Sequence, residues 1–140
     1  FPFPEGLSQR VTGKTMSAIE RRAKYGLIRF DSPDALSLLF HLGMSGRMVC
    51  EETTDTPFEK HDHVIFETQR GQVRFNDPRR FGFLDLIDGL DAENRFLAAL
   101  GPEPLSDAVS PDYLLTVFRD KTSPIKASLL NQKLTIVLVL

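Results

Sequence analysis

Between Thr15 and Leu86 the chain is written in short apolar runs, "TMSAIERR", "YGLIRF", "LSLLFHLGM", "RMVCEE", "HVIFETQ", "QVRFND" and "FGFLDLI", each broken by turn residues. Some runs alternate apolar with polar positions and others are continuous, the two signatures of half-buried and fully buried strands. The breaks "DSPD", "MSGR" and "QRGQ" carry the Gly, Pro, Asp and Ser chemistry of tight turns. The leading "EGLSQRV" fits a short helix or a loop equally well.

After Gly89 the period changes to that of helices. "DAENRFLAALG" offers Asp91 as an N-cap, Phe96, Leu97 and Leu100 on one face, and Gly101 as a stop. "SPDYLLTVFRD" offers Ser110 as cap, Pro111 at the first helical position and an apolar stripe of Tyr113, Leu114, Val117 and Phe118. "SPIKASLLNQKL" repeats the arrangement with Ser123 and Pro124. The expected fold is α+β: a mostly antiparallel β-sandwich over residues 1–100, a Pro- and Gly-bearing linker at 101–110, and helices over 111–140. "TIVLVL" at 135–140 has no charge and follows a helix without a stop signal, which gives it the character of an aggregation-prone ending rather than of a membrane span.

Composition adds bounds. With 140 residues, 41% hydrophobic and 26% charged, the chain has the makeup of one globular domain with a real core. No apolar run is long enough to span a membrane and no charged-then-apolar leader precedes the strands, so a cytoplasmic, unanchored protein is expected. The single cysteine, Cys50, excludes an internal disulfide framework and multi-cysteine zinc patterns, and is expected to be a buried small hydrophobe. The net charge of −2 argues against a nucleic-acid partner only as a total. Residues 1–50 carry seven Lys/Arg against four acids, and the acids of the remainder gather at 51–59, 85–93 and 103–120, away from Arg79 and Arg80.

Four stretches carry candidate chemistry. "NDPRRFGF" sets two arginines and two phenylalanines between a proline and a glycine, an odd place for Phe81 unless something needs the ring exposed. "FHLGMSGRM" runs a strand into a loop whose tip is Met44 and Ser45, either a hairpin turn with a core methionine or an exposed probe. "KHDH" places His61 and His63 at i and i+2, on one face if they share a strand. A metal pair there lacks a third ligand and a cysteine partner, and a phosphate-binding or structural His61 is the stronger reading. "ERRAKYG" puts Arg22 and Lys24 on one side of a strand and Arg21 on the other, either a solvated basic edge or one that grips phosphate.

Taken in order, "RRAKYG", "HLGMSGR", "KHDHV", "DPRRFGF", "LGPEPLSD" and "LLNQKL" resemble the formamidopyrimidine-DNA glycosylase and endonuclease VIII family, over residues 1 to about 134 and on its oxidised-purine branch. The resemblance implies base-excision repair: a DNA glycosylase with abasic-site lyase activity that removes oxidised purines such as 8-oxoguanine and formamidopyrimidines. It implies a partner, double-stranded DNA with a damaged base or abasic site, bound by a monomer in the bacterial cytoplasm at the nucleoid. Flipping a base out of the stack leaves a void. By resemblance Met44 fills it, Phe81 wedges the stack and Arg79 hydrogen-bonds the orphaned base. Lys24, His41 and His61 contact phosphate or backbone, Arg80 supports its loop through local ion pairing, and Gly43, Gly46 and Gly82 let the loops approach DNA.

The resemblance also sets expectations about what is missing. The family's nucleophile is the amine of an N-terminal proline, followed by a glutamate acting as acid/base. Pro2 and Pro4 stand in peptide linkage and have no basic nitrogen, so no catalytic residue is expected in this chain, and it is expected to be inactive as written. The family's glycine-rich turn, second helix of the helix-two-turn-helix domain and four-cysteine zinc finger find no match after "LLNQKL", so no cofactor is expected. A non-catalytic module that recognises damaged or abasic duplex is the alternative.

Overall fold

The computed structural model describes residues 2–134; the "TIVLVL" segment lies outside them. A short helix, α1 (Leu7–Val11), leads into seven strands: β1 (Thr15–Arg22), β2 (Tyr25–Asp31), β3 (Ser37–His41), β4 (Arg47–Glu51), β5 (Asp62–Thr68), β6 (Gly71–Asn76) and β7 (Phe83–Ile87). Helices α2 (Pro111–Phe118) and α3 (Ile125–Leu129) follow. Every strand pairing is antiparallel, in two sheets ordered β1-β2-β3-β7 and β4-β6-β5.

The two kinds of apolar run have a structural cause. Side chains alternate faces along a strand. In the four-stranded sheet Ile28, Leu38 and Leu84 point toward Phe75, Met48, Val64 and Phe66 of the other sheet, forming the inter-sheet core. Their neighbours Leu27, Leu39, Phe83 and Ile87 point the other way, onto Phe96, Leu97 and Leu100. Both faces of β2, β3 and β7 are covered, so these strands read as nearly continuous apolar runs, while edge strand β1 stays largely exposed. Leu38 and Leu39 are both fully buried, on opposite faces. Truncating either to Ala costs about 2–5 kcal/mol.

The helix expected from Asp91 to Gly101 does not form. The segment opens with a 3₁₀ turn at Asp91–Glu93 and continues as turns. Asp91 is drawn away from capping by Arg29, whose guanidinium donates to both its oxygens at 2.6 and 2.5 Å. Asn94 accepts the N–H of Phe96 at 2.9 Å, a local side-chain turn that competes with helix. The apolar residues of the segment still reach the core. By contrast, Ser110 caps α2, accepting the N–H of Tyr113 at 3.1 Å, with Pro111 in the first turn. α3 is shorter than its pattern suggests: Pro124 is the flanking residue, and the hydroxyl of Ser123 pairs with that of Ser128 at 2.7 Å instead of capping.

Cys50 is exposed, not buried. It lies on β4, an edge strand, and the inter-sheet core reaches Met48 on that strand without extending to it. Four of the seven basic residues of the first third are paired within the chain. Arg10 pairs with Asp88, Arg22 with Glu103, Arg29 with Glu20 and Asp91, and Arg47 with Glu59.

Candidate nucleic-acid interface

Two loops emerge side by side from neighbouring strand ends. The first, Leu42–Gly46, joins β3 to β4 and is closed by the N–H of Gly46 donating to the Leu42 carbonyl at 2.8 Å. A side chain at Gly46 would meet that oxygen at 2.3 Å, which explains the glycine. The second, Asp77–Gly82, joins β6 to β7 and turns through Arg80 in the left-handed region, at φ 56°. A bulky residue holding that conformation is a local cost that surrounding contacts sustain.

The loops meet back to back. Gly43 has φ 63°, and a Cβ there would lie 2.7 Å from the Phe81 carbonyl carbon and 2.8 Å from the Gly82 nitrogen. A Cβ at Gly82 would meet the His41 carbonyl oxygen and the Phe75 ring, each at 2.7 Å. The atoms these glycines admit belong to the protein itself: the neighbouring loop for Gly43, and the ends of β3 and β6 for Gly82.

Three side chains converge at the tip. Met44 is 76% exposed and Phe81 53% exposed, large apolar groups in water. Arg79 joins them: its guanidinium carbon sits 4.7 Å from the centre of the Phe81 ring, and its Nη1 lies 3.7 Å from the Met44 sulfur. A cation stacked on a ring face is an ordered, low-entropy arrangement with its remaining donors turned outward. Neither Arg79 nor Arg80 forms an ion pair with a described residue. The expected local ion pair of Arg80 is thus absent; its contribution to the loop is its backbone conformation and an N–H aimed at the Asp77 carbonyl, 3.4 Å away.

His41 stands at the base of the first loop between the rings of Tyr25 and Phe83, each centroid 5.4 Å away. Its Nδ1 accepts the N–H of Gly43 at 3.2 Å. Burial lowers its pKa, and the nearby Lys24 ammonium pushes in the same direction. The imidazole is therefore neutral at physiological pH, with Nε2–H as its donor. Lys24 is not on a strand: β1 ends at Arg22, and Lys24 sits exposed in the turn before Tyr25, 5.6 Å from that ring's centre. His61 lies in the turn preceding β5 rather than sharing a strand face with His63, which removes the geometry for a metal pair. Its carbonyl accepts the N–H of Asp77 at 3.0 Å.

Sequence reasoning passed over the residue that holds this site together. Asp77 is fully buried, accepting from the Ser45 hydroxyl at 2.7 Å, the Arg79 N–H at 3.2 Å and the Gly82 N–H at 2.7 Å. Its carbonyl meets His63 Nε2 at 2.8 Å. Burial acts to raise its pKa, but the donors from Gly82, Ser45, Arg79 and Phe81 outweigh it and leave the carboxyl below its ordinary value. A signal was available: an Asp before Pro at a turn commonly bonds the backbone two residues on, as it does here at Arg79.

Residues 1–84 match the family model described as the formamidopyrimidine-DNA glycosylase N-terminal domain. The chain belongs to that family. It is 46% identical over 149 residues to the formamidopyrimidine-DNA glycosylase of Rhizobium etli (strain CIAT 652), covering 95% of this chain and 50% of that protein. To the enzyme of Acidiphilium cryptum it is 47% identical over 134 residues, 94% of this chain and 46% of that one. The crystal structure of Lactococcus lactis Fpg with DNA containing FAPY-dG superposes with a TM-score of 0.84 at 36% identity, covering 96% of this chain and 50% of that one. MutM in complex with DNA containing carbocyclic 8-oxo-G gives 0.83 at 35% identity, again over 96% and 50%. The chain spans about half the length of these glycosylases. The four-cysteine zinc site implied by the resemblance does not fit the residues present, since the sequence holds one cysteine and no three His, Cys, Asp or Glu side chains converge among the described residues.

Proposed function

We propose that this chain forms the lesion-probing part of a bacterial DNA glycosylase that removes oxidised purines and cleaves the resulting abasic site, with damaged or abasic duplex DNA as its partner. The observation that carries this reading is the convergence of Met44, Arg79 and Phe81, from two separate loops, on one exposed tip. An apolar wedge inserted between base steps costs unstacking, and that cost is lowest where a base is already missing. Phe81 has the ring to wedge, Met44 the unbranched, adaptable chain to occupy a void, and Arg79 the outward donors to meet an orphaned base. Lys24, the neutral His41 and His61 flank the tip at the ends of β1, β3 and the turn before β5, where they meet phosphate oxygens on either side. Residues 2–100 carry this surface, 101–110 connect it, and the helices over 111–134 belong to a second domain of the same enzyme, which acts as a monomer in the cytoplasm.

The test is binding of the 140-residue chain, at fixed salt, to a duplex with a tetrahydrofuran abasic analogue and to the same duplex intact. A preference for the abasic duplex that Phe81→Ala removes supports the reading. Equal binding to both duplexes, or a preference that Phe81→Ala leaves in place, overturns it.

A further inference from the structure

We propose that Asp77 is the positioning residue that joins the Met44 loop and the Arg79–Phe81 loop into one rigid probe, so that both enter a duplex together. This rests on the void-filling reading above and deepens it. The carboxylate lies at the end of β6, fully buried, with no cation in salt-bridge range among the described residues. A charge so placed is costly unless its lone pairs are filled. They are filled from both loops: Oδ1 takes the Ser45 hydroxyl of the first loop and the Arg79 N–H of the second, and Oδ2 takes the Gly82 N–H.

The division between the oxygens decides which residue type can serve. The Arg79 and Gly82 N–H groups only donate, and they address different oxygens. Asparagine has one acceptor atom in place of two, so whichever way its amide turns, one backbone N–H faces an NH₂ group. The Ser45 hydroxyl can rotate to accommodate either. Asp77→Asn therefore keeps the shape but frees one arm of the second loop, while Ser45→Ala frees the first loop and leaves the second intact. Neither substitution alters the side chains of Met44, Arg79 or Phe81, which meet the DNA.

The experiment is a set of double-mutant cycles on the 140-residue chain. Met44→Ala and Phe81→Ala, singly and together, are measured for preference between the tetrahydrofuran duplex and the intact duplex, in the native, Ser45→Ala and Asp77→Asn backgrounds. In the native background the two truncations are non-additive, because one body presents both side chains. Asp77→Asn lowers the preference about tenfold, the scale of a lost hydrogen bond to a charged group, and makes the truncations additive. Ser45→Ala, which removes one hydrogen bond to the same carboxylate, lowers the preference by a similar factor of about ten and also abolishes the coupling. A general loss of stability would scale all the affinities alike and leave the coupling untouched.

Retained preference and coupling in Asp77→Asn overturn the proposal. If that variant does not fold, unchanged coupling in Ser45→Ala does so instead. Amide hydrogen exchange without DNA separates this failure from that of the function. If the native chain shows no lesion preference, the void-filling reading fails by itself. Faster exchange at Gly82 or Arg79 in Asp77→Asn then still supports the clasp, and unchanged exchange at both refutes it.

Discussion

Two buried aspartates sit at opposite ends of the same local sequence, and they treat arginine differently. Asp62, whose side chain is 1% exposed, faces Arg74 at 3.0 Å, and Arg74 also reaches Glu51 at 2.6 Å. Asn76 and the N–H of Glu59 complete Asp62's shell at 2.8 Å each. Asp77, buried as a whole residue, is satisfied by neutral donors alone, and the arginines two and three residues on are exposed. On the outer face of β6 the cation is consumed by structure. At the loop it is left without an ion pair among the described residues. The lesson is that arginine content says little about a binding surface until the internally paired guanidiniums are set aside.

The sharpest way to break this comparison is to remove the carboxylate from the paired site. Asp62→Ala strands Arg74 with Glu51 as its close partner, and should lower the unfolding free energy by about 3 kcal/mol in urea titration. The lesion preference of the folded fraction should not change. Phe81→Ala should do the reverse: about 1–3 kcal/mol lost from abasic-duplex binding, the range for a single stacking contact, with stability within about 0.5 kcal/mol of the native chain. A large stability change on losing Phe81 would make it a core residue and erase the contrast.

Acid distinguishes the sites from ordinary surface. Burial works to raise the Asp62 pKa, but the hydrogen bonds from Asn76, Glu59 and Arg74 prevail and lower it, as the neutral donors do for Asp77. A depressed folded-state pKa means the unfolded chain binds protons first. The stabilisation is fully present above the unfolded carboxyl value of about 3.9 and is lost as pH falls through the folded values. Stability followed from pH 6 downward should stay level to about pH 4 and then drop, with a shallower drop in Asp77→Asn. The smallest effect belongs to Lys24→Ala, which should weaken binding to intact and abasic duplex alike and reduce the slope of log affinity against log salt by about one.

Much of the fold was legible because strand periodicity and turn chemistry agree: all seven strands fall on the runs that suggest them. The segment from Asp91 misled because its helical spacing of Phe96, Leu97 and Leu100 is real, while Arg29, distant in sequence, claims the residue that would have capped it. Cys50 misled because average burial says nothing of edge strands. The turn residues around Met44 and Phe81 already raised their exposure, but by type alone each belongs in a core, and the resemblance was what gave the exposure a purpose. Asp77 was legible in part, since an Asp before Pro at a turn commonly bonds the backbone two residues on, but its bonds to Gly82 and to Ser45 of the other loop, and that of His63 to its carbonyl, depend on the fold.

The proposed function requires the exposed tip to enter a gap in the duplex. The direct measurement is the fluorescence of 2-aminopurine placed in the base step beside a tetrahydrofuran site, titrated with the 140-residue chain. Wedging by Phe81 unstacks that base, so fluorescence should rise on binding with the native chain and stay flat with Phe81→Ala at matched saturation. Saturating binding by the native chain with no change in fluorescence would contradict the account.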